Sequence, residues 1–132
     1  LHHLHPRIND ALNEFHRLLK EHGSIYFCEP HSGSLPDIFR RIWYRFDPLF
    51  LPNESAIDIN KIISENKDYF KFKVLGYYGN LAYLIILNSM VFRINSSFKN
   101  KIAPVMFAIE KAFSPFQSRF FSCFVLAKAE KA

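Results

Sequence analysis

The chain has 132 residues, 49% hydrophobic and 22% charged, a balance that excludes a disordered segment and fits one domain or part of one. Seventeen Lys and Arg against twelve Asp and Glu leave a net charge of +5, which favours anionic partners without naming one. Two cysteines exclude a disulfide framework and point to a reducing, cytoplasmic setting, and no basic-apolar-small pattern of a secretion signal follows Leu1.

From Arg7 to Glu21, Ile8, Ala11, Leu12, Phe15, Leu18 and Leu19 recur at helical spacing, with Asn13, Glu14, Arg17 and Lys20 on the other face. Gly23 follows where a left-handed cap is expected. Ser24 to Cys28 reads as a buried strand ended by Glu29-Pro30. Pro36 to Phe46 predicts a short helix, its apolar side Ile38, Phe39, Ile42 and Trp43 buried and Arg40, Arg41 and Arg45 solvated. Pro48 and Pro52 bracket a loop, and Ser55 to Ser64 predicts a helix capped by Ser55 with Asp58 three residues on.

Tyr69 to Tyr78 alternates Phe70, Phe72 and Val74 with Lys71 and Lys73, as a half-buried strand does. Leu81 to Phe92 reads as an apolar helix over a pocket. Lys99 to Phe113 reads as an amphipathic helix around Ile102, Val105, Met106, Ile109 and Phe113, closed by Pro115. Phe120 to Ala127 predicts a last strand, and Lys128 to Lys131 an exposed tail. Helices alternating with strands place the chain in the α/β class.

Leu1-His2-His3-Leu4, then Ala11-Leu12, Phe15, Arg17-Leu18-Leu19-Lys20, Gly23, Ile25, Phe27 and Glu29-Pro30, resembles the second half of class I S-adenosylmethionine-dependent methyltransferases. Glu21-His22 stands where many members carry Pro-Gly, a departure confined to the turn. The resemblance implies a single partial domain over 1–132 with a partial Rossmann-like sheet of strands five, six and antiparallel seven and flanking helices. Its three strands would make a small mixed sheet with the last one between the other two. Segments 30–66 and 79–117 would be helical acceptor-site or lid insertions. The four glycines, Gly23, Gly33, Gly76 and Gly79, form no Gly-x-Gly turn between strand and helix, so most of the cofactor site is expected upstream of Leu1.

On this resemblance Leu1, His2 and His3 follow strand four and would touch S-adenosylmethionine, while Glu29, His31 and Tyr44 would face a small or lipid-like methyl acceptor. A solvated loop or the remainder of an affinity tag explains His2, His3 and His5 as well, and His-His-x-His is a weak metal pattern. A carboxylate at Glu29 orients an acceptor or caps a turn. Methyl transfer asks mainly for alignment, since the sulfonium is already activated, so no residue is assigned a catalytic role and the isolated chain is expected to be inactive.

Cys28 and Cys123 are expected as a packed thiol pair on neighbouring strands. Asn53-Glu54-Ser55 and Asn95-Ser96-Ser97 match a glycosylation pattern that has no meaning without secretion. Val74 to Phe92 lacks charge, yet Gly76, Gly79, Asn80, Asn88 and Ser89 interrupt it, so a spanning helix is disfavoured. Leu81–Phe92 with Arg93, Lys99 and Lys101 suits a peripheral position on a membrane surface instead. Arg40, Arg41, Trp43, Tyr44 and Arg45 could serve nucleic acid, but a helix with one buried face accounts for them and no nucleic acid is expected. The unpaired edge of strand five offers a route to a homo-oligomer. The alternative to the enzyme is a non-catalytic interaction or membrane-associated module.

Overall fold

In a computed structural model, residues 1–46, 55–80, 82–87 and 93–132 are described. The Pro48–Pro52 loop, Asn53, Leu81 and Asn88–Phe92 lie outside the described residues, and the expectations placed on them with them.

Three strands form one sheet: β1 (Ser24–Pro30), β2 (Phe70–Tyr78) and β3 (Phe124–Lys131), in the order β1-β3-β2. The strand last in sequence is central and antiparallel to both neighbours. That corrects the expected mixed sheet. β3 fills both inner edges, so the mutually parallel β1 and β2 never touch and every adjacent pair is antiparallel. The supposed tail is part of β3: Ala129 pairs with Ile25 on one side and Phe72 on the other, and is fully buried. β1 likewise continues through Glu29 and Pro30, opposite Val125 and Phe124.

The period-two alternation of β3 explains its position. Val125, Ala127 and Ala129 are fully buried on one face, where two small alanines let helices approach closely. Against that face lie α1 (Ile8–Leu18) and α3 (Ile59–Asn66), contributing Ile8 and Leu12, and Ile59 and Ile62. Phe70, Phe72 and Val74 of β2, with Ile25 and Phe27 of β1, complete the core. Burial of Leu12, Ile57, Ile59 and Phe70 stabilises the fold by about 1.5–3 kcal/mol for each side chain. Asn66 joins the two helices, its Nδ2 donating to Asn9 Oδ1 at 3.0 Å and to Ile62 O at 3.0 Å.

The turn between α1 and β1 differs from expectation. The helix stops at Leu18, and His22, not Gly23, takes the left-handed conformation at φ 60°. Gly23 serves close approach instead, because a Cβ there would lie 2.7 Å from the Lys20 carbonyl oxygen. α3 also begins later than expected, with Asp58 rather than Ser55 as its cap: the carboxylate accepts from Asn60 N and Lys61 N.

The remaining elements gather beyond the carboxyl ends of β1 and β2. They are α2 (Leu35–Phe46), a π-helical turn (Tyr83–Leu87), α4 (Ser96–Phe113) and a 3-10 turn (Ser114–Phe116). α4 starts three residues earlier than its periodicity suggests, capped by the Asn95 side chain on Ser97 N, and carries Pro104 inside. β2 ends at Tyr78, so the uncharged run that begins at Val74 is divided between a strand and the π-helical turn beyond it. Among the described residues no helix is long and apolar enough to cross a membrane.

Candidate functional site

The two outer strands end side by side because Cys123 joins them. Its N–H donates to Gly79 O at 2.7 Å after β2, and its carbonyl accepts from His31 N at 3.2 Å after β1. Gly79 turns the chain there at φ 80°, a conformation that favours glycine. Cys123 is buried and its thiol is pushed up to about 12 by burial, whereas Cys28 is exposed. Cys28 pairs with Leu126 in the register, so the expected buried thiol pair does not form.

His31 is fully buried. Its Nε2 lies 2.9 Å from Ser122 O and its Nδ1 3.2 Å from Ser32 O, while the ring meets Tyr77 edge-on at 5.1 Å. A neutral imidazole donates to only one of two carbonyls, and burial lowers the pKa despite both contacts. The ring therefore braces the strand ends. In this form the ring is buried rather than open to solvent.

The sequence reading missed the device that starts α2. Ser34 Oγ, fully buried, accepts from Asp37 N at 3.2 Å, and the Asp37 carboxylate accepts from Gly33 N at 2.9 Å. Ser34-Leu35-Pro36-Asp37 was the readable signal, a Ser-x-x-acid pattern with proline in the first turn. Arg40 pairs with the buried Asp37 and reaches His31 O at 3.4 Å, while Arg41 approaches Asp37 at 3.3 Å. The acid of the helix thus points inward.

This orientation leaves the apolar side of α2 outside. Ile38, Phe39, Ile42 and Trp43 are all exposed, contrary to the buried face expected of them, and Phe46 is exposed as well. Between α2 and α4 lies an apolar cleft of about 420 Å³, within the range of small-molecule sites. Leu35, Pro36 and Phe39 form one wall, Ile109 and Phe113 another, and Leu84, Phe116 and Phe121 line the rest with Asn80 and Glu110. Glu110 is engaged: it accepts from Asn80 N at 2.7 Å and Ala82 N at 3.1 Å, tying α4 to the π-helical turn. Behind the cleft, Tyr83 packs edge-on against Phe124, and its phenol is pushed up to about 12 by burial, with Cys123 and Tyr44 adding to it. Tyr44 is half-buried on α2.

Glu29, Leu1, His2 and His3 form a second cluster. Glu29 is 9% exposed and accepts from the Leu1 nitrogen at 2.6 Å, His2 Nδ1 at 2.5 Å and His2 N at 3.3 Å. Burial pushes its carboxyl up, but these hydrogen bonds prevail and hold it below the usual carboxylate value. His3 is exposed, its ring 4.0 Å from that of His2. Glu29 thus anchors the amino-terminal turn (His2–Leu4) to β1. Among the described residues, no three His, Cys, Asp or Glu side chains gather as metal ligands would.

Thiol and phenol beside the cleft keep their protons, His31 is sealed and Glu110 is engaged. Comparison of the chain with family models, with curated proteins and with solved structures gave no match. Fold and site define an α/β protein with a three-stranded antiparallel sheet, flanking helices and an apolar cleft at one end of that sheet.

Proposed function

We propose that the chain is the carboxyl-terminal portion of a class I S-adenosylmethionine-dependent methyltransferase, with β1, β2 and β3 as strands five, six and seven of a partial Rossmann-like sheet. The cleft then receives a small or lipid-like methyl acceptor. One observation carries this reading: the cleft lies beyond the carboxyl ends of two mutually parallel strands, where α/β sheets place ligands. The central antiparallel position of β3 supports it as well.

The residues at hand fit one edge of the cofactor and no more. His3 sets an exposed ring beside that of His2, and Glu29 is already occupied by Leu1 and His2. When bound, the cofactor supplies an activated methyl. This chain's part is to hold the acceptor between α2 and α4 and shield it from water. By itself it is expected to be inactive.

A nuclear magnetic resonance titration with dodecanol, a plain apolar probe, tests the acceptor site. Shifts at Phe39, Leu84 and Phe113 are the expected result, and their absence at saturation removes the acceptor reading. A parallel titration with S-adenosylmethionine is expected to move His2 and His3; unchanged signals there remove the cofactor contact.

A further inference from the structure

The cleft is only one side of α2. The helix carries its sole acid, Asp37, inward, 1% exposed and paired with Arg40. On the outside, Ile38, Phe39, Ile42 and Phe46 recur at spacings of one, three and four and form a stripe. They are 45%, 63%, 55% and 78% exposed. Arg41 and Arg45, also exposed and one turn apart, flank it. Together with Ile38, Ile42 and Phe46 they line a shallow trough of about 340 Å³. The outward surface is therefore apolar and cationic with no exposed carboxylate from the helix itself, on a chain of net charge +5.

From this arrangement we infer that α2 docks on an anionic phospholipid bilayer. Ile38, Phe39, Ile42 and Phe46 enter the acyl boundary, and Arg41 and Arg45 meet lipid phosphates. An interfacial helix combines a stripe of large apolar groups with flanking bases and gains from both area and charge. Aliphatic Ile38 and Ile42 in mid-stripe favour lipid over nucleic acid, whose bases need flat stacking partners. The surplus of bases favours an anionic surface over a second copy of the same cationic face. This surface differs from the Leu81–Phe92 segment that the sequence suggested. Docking does not depend on methyl transfer, yet Phe39 belongs both to the stripe and to the cleft wall, so a docked chain presents its cleft to the lipid.

Trp43, the only tryptophan in the sequence, sits on this helix and reports on it directly. The test is co-sedimentation with phosphatidylcholine vesicles, with and without phosphatidylglycerol, together with Trp43 emission. Binding to the anionic vesicles with a blue shift is expected. The double variant Arg41→Gln, Arg45→Gln is expected to bind about thirtyfold more weakly, from about 1 kcal/mol for each base at a charged surface. Ile42→Ser with Phe46→Ser is expected to abolish the blue shift. The matched control Lys71→Gln, Lys73→Gln on β2 is expected to stay within about threefold of the wild type, since distant charges are screened. Circular dichroism verifies that each variant is folded.

Equal loss in the β2 control overturns the proposal in favour of bulk charge. Co-sedimentation with unchanged Trp43 emission overturns it in favour of another surface. Lipid-free self-association that disappears in Ile42→Ser, Phe46→Ser assigns the face to a second copy. A failure of anionic vesicles to bind, or quenching of Trp43 by single-stranded RNA in their place, also overturns it.

Discussion

The two helix layers around the sheet are built to opposite rules. α1 and α3 turn apolar stripes inward onto Val125, Ala127 and Ala129 and leave charge outside. α2 turns an acid inward and leaves its apolar stripe outside. Both have the same amphipathic period. What differs is where the first turn is fastened: α2 is fixed by Ser34, Asp37 and Gly33 at the strand ends, and that fastening sets its rotation. An amphipathic pattern states which residues share a face; the attachment decides which way the face looks.

Substitutions at matched apolar positions break this comparison most sharply. Leu12→Ala in α1 is expected to cost about 3 kcal/mol in urea unfolding, the usual loss for a buried leucine. Ile42→Ala in α2 is expected to stay within about 0.5 kcal/mol, as exposed changes do. Equal losses would mean that α2 is covered after all.

Next in size is Asp37→Ala, which leaves Arg40 half-sealed without its partner and removes an acceptor from Gly33 N. A cost of about 2–3 kcal/mol is expected, together with lost order at α2 while α1 stays protected in hydrogen exchange. Unfolding of both layers at one midpoint would merge the two regions into a single cooperative unit.

Glycine substitutions sharpen the contrast further. Gly23→Ala drives a Cβ into the Lys20 carbonyl oxygen, and a loss of about 1–2 kcal/mol is expected on thermal unfolding. Gly76→Ala meets the Tyr78 ring first, whose exposed end can swing away, so its cost is expected to stay below about 1 kcal/mol. The reverse order would show that Tyr78 is held more firmly than the turn.

The smallest effects are those of pH. His31 is held below its ordinary 6.5 in the folded chain by burial, so the unfolded chain protonates first. Its contribution is complete above 6.5 and is lost as pH falls through the folded value. Glu29 behaves likewise in a lower window, with its contribution complete above 4.5 and lost as the carboxylate takes up its proton. His31→Gln is expected to flatten the urea midpoint just below 6.5, with His5, also lowered by burial, retaining part of the slope. Glu29→Gln is expected to flatten only the part below 4.5. Identical profiles for the two variants would refute the separation.

Much of the closed layer was legible in the sequence because its signals are local. Ile8, Leu12 and Phe15 give a helical period, and Phe70, Phe72 and Val74 give a strand period. β3 was placed four residues too early because Ala127 and Ala129 are weakly apolar and alternate with Lys128 and Glu130. Their burial comes from two neighbouring strands that no local window contains. At the site, the sequence pointed to Glu29 and His31 as residues of interest, and its local pattern did not reveal the carbonyl contacts that hold the His31 ring. The Ser34–Asp37 fastening was readable. Its consequence for the direction of Ile38 and Ile42 was not, since that depends on where the strands end.

The place of β3 also sets an order of events during synthesis. β1 and β2 leave the ribosome before the strand that holds them both, and neither finds a sheet partner among the other strands until it arrives. The sheet therefore closes late, through contacts distant in sequence such as Ile25 with Ala129, and such closure is slow compared with helix formation. Until then Ile25, Phe27 and Phe72 stand without the core they pack against once β3 inserts, and unpaired apolar strands of this kind are the aggregation-prone stage of folding.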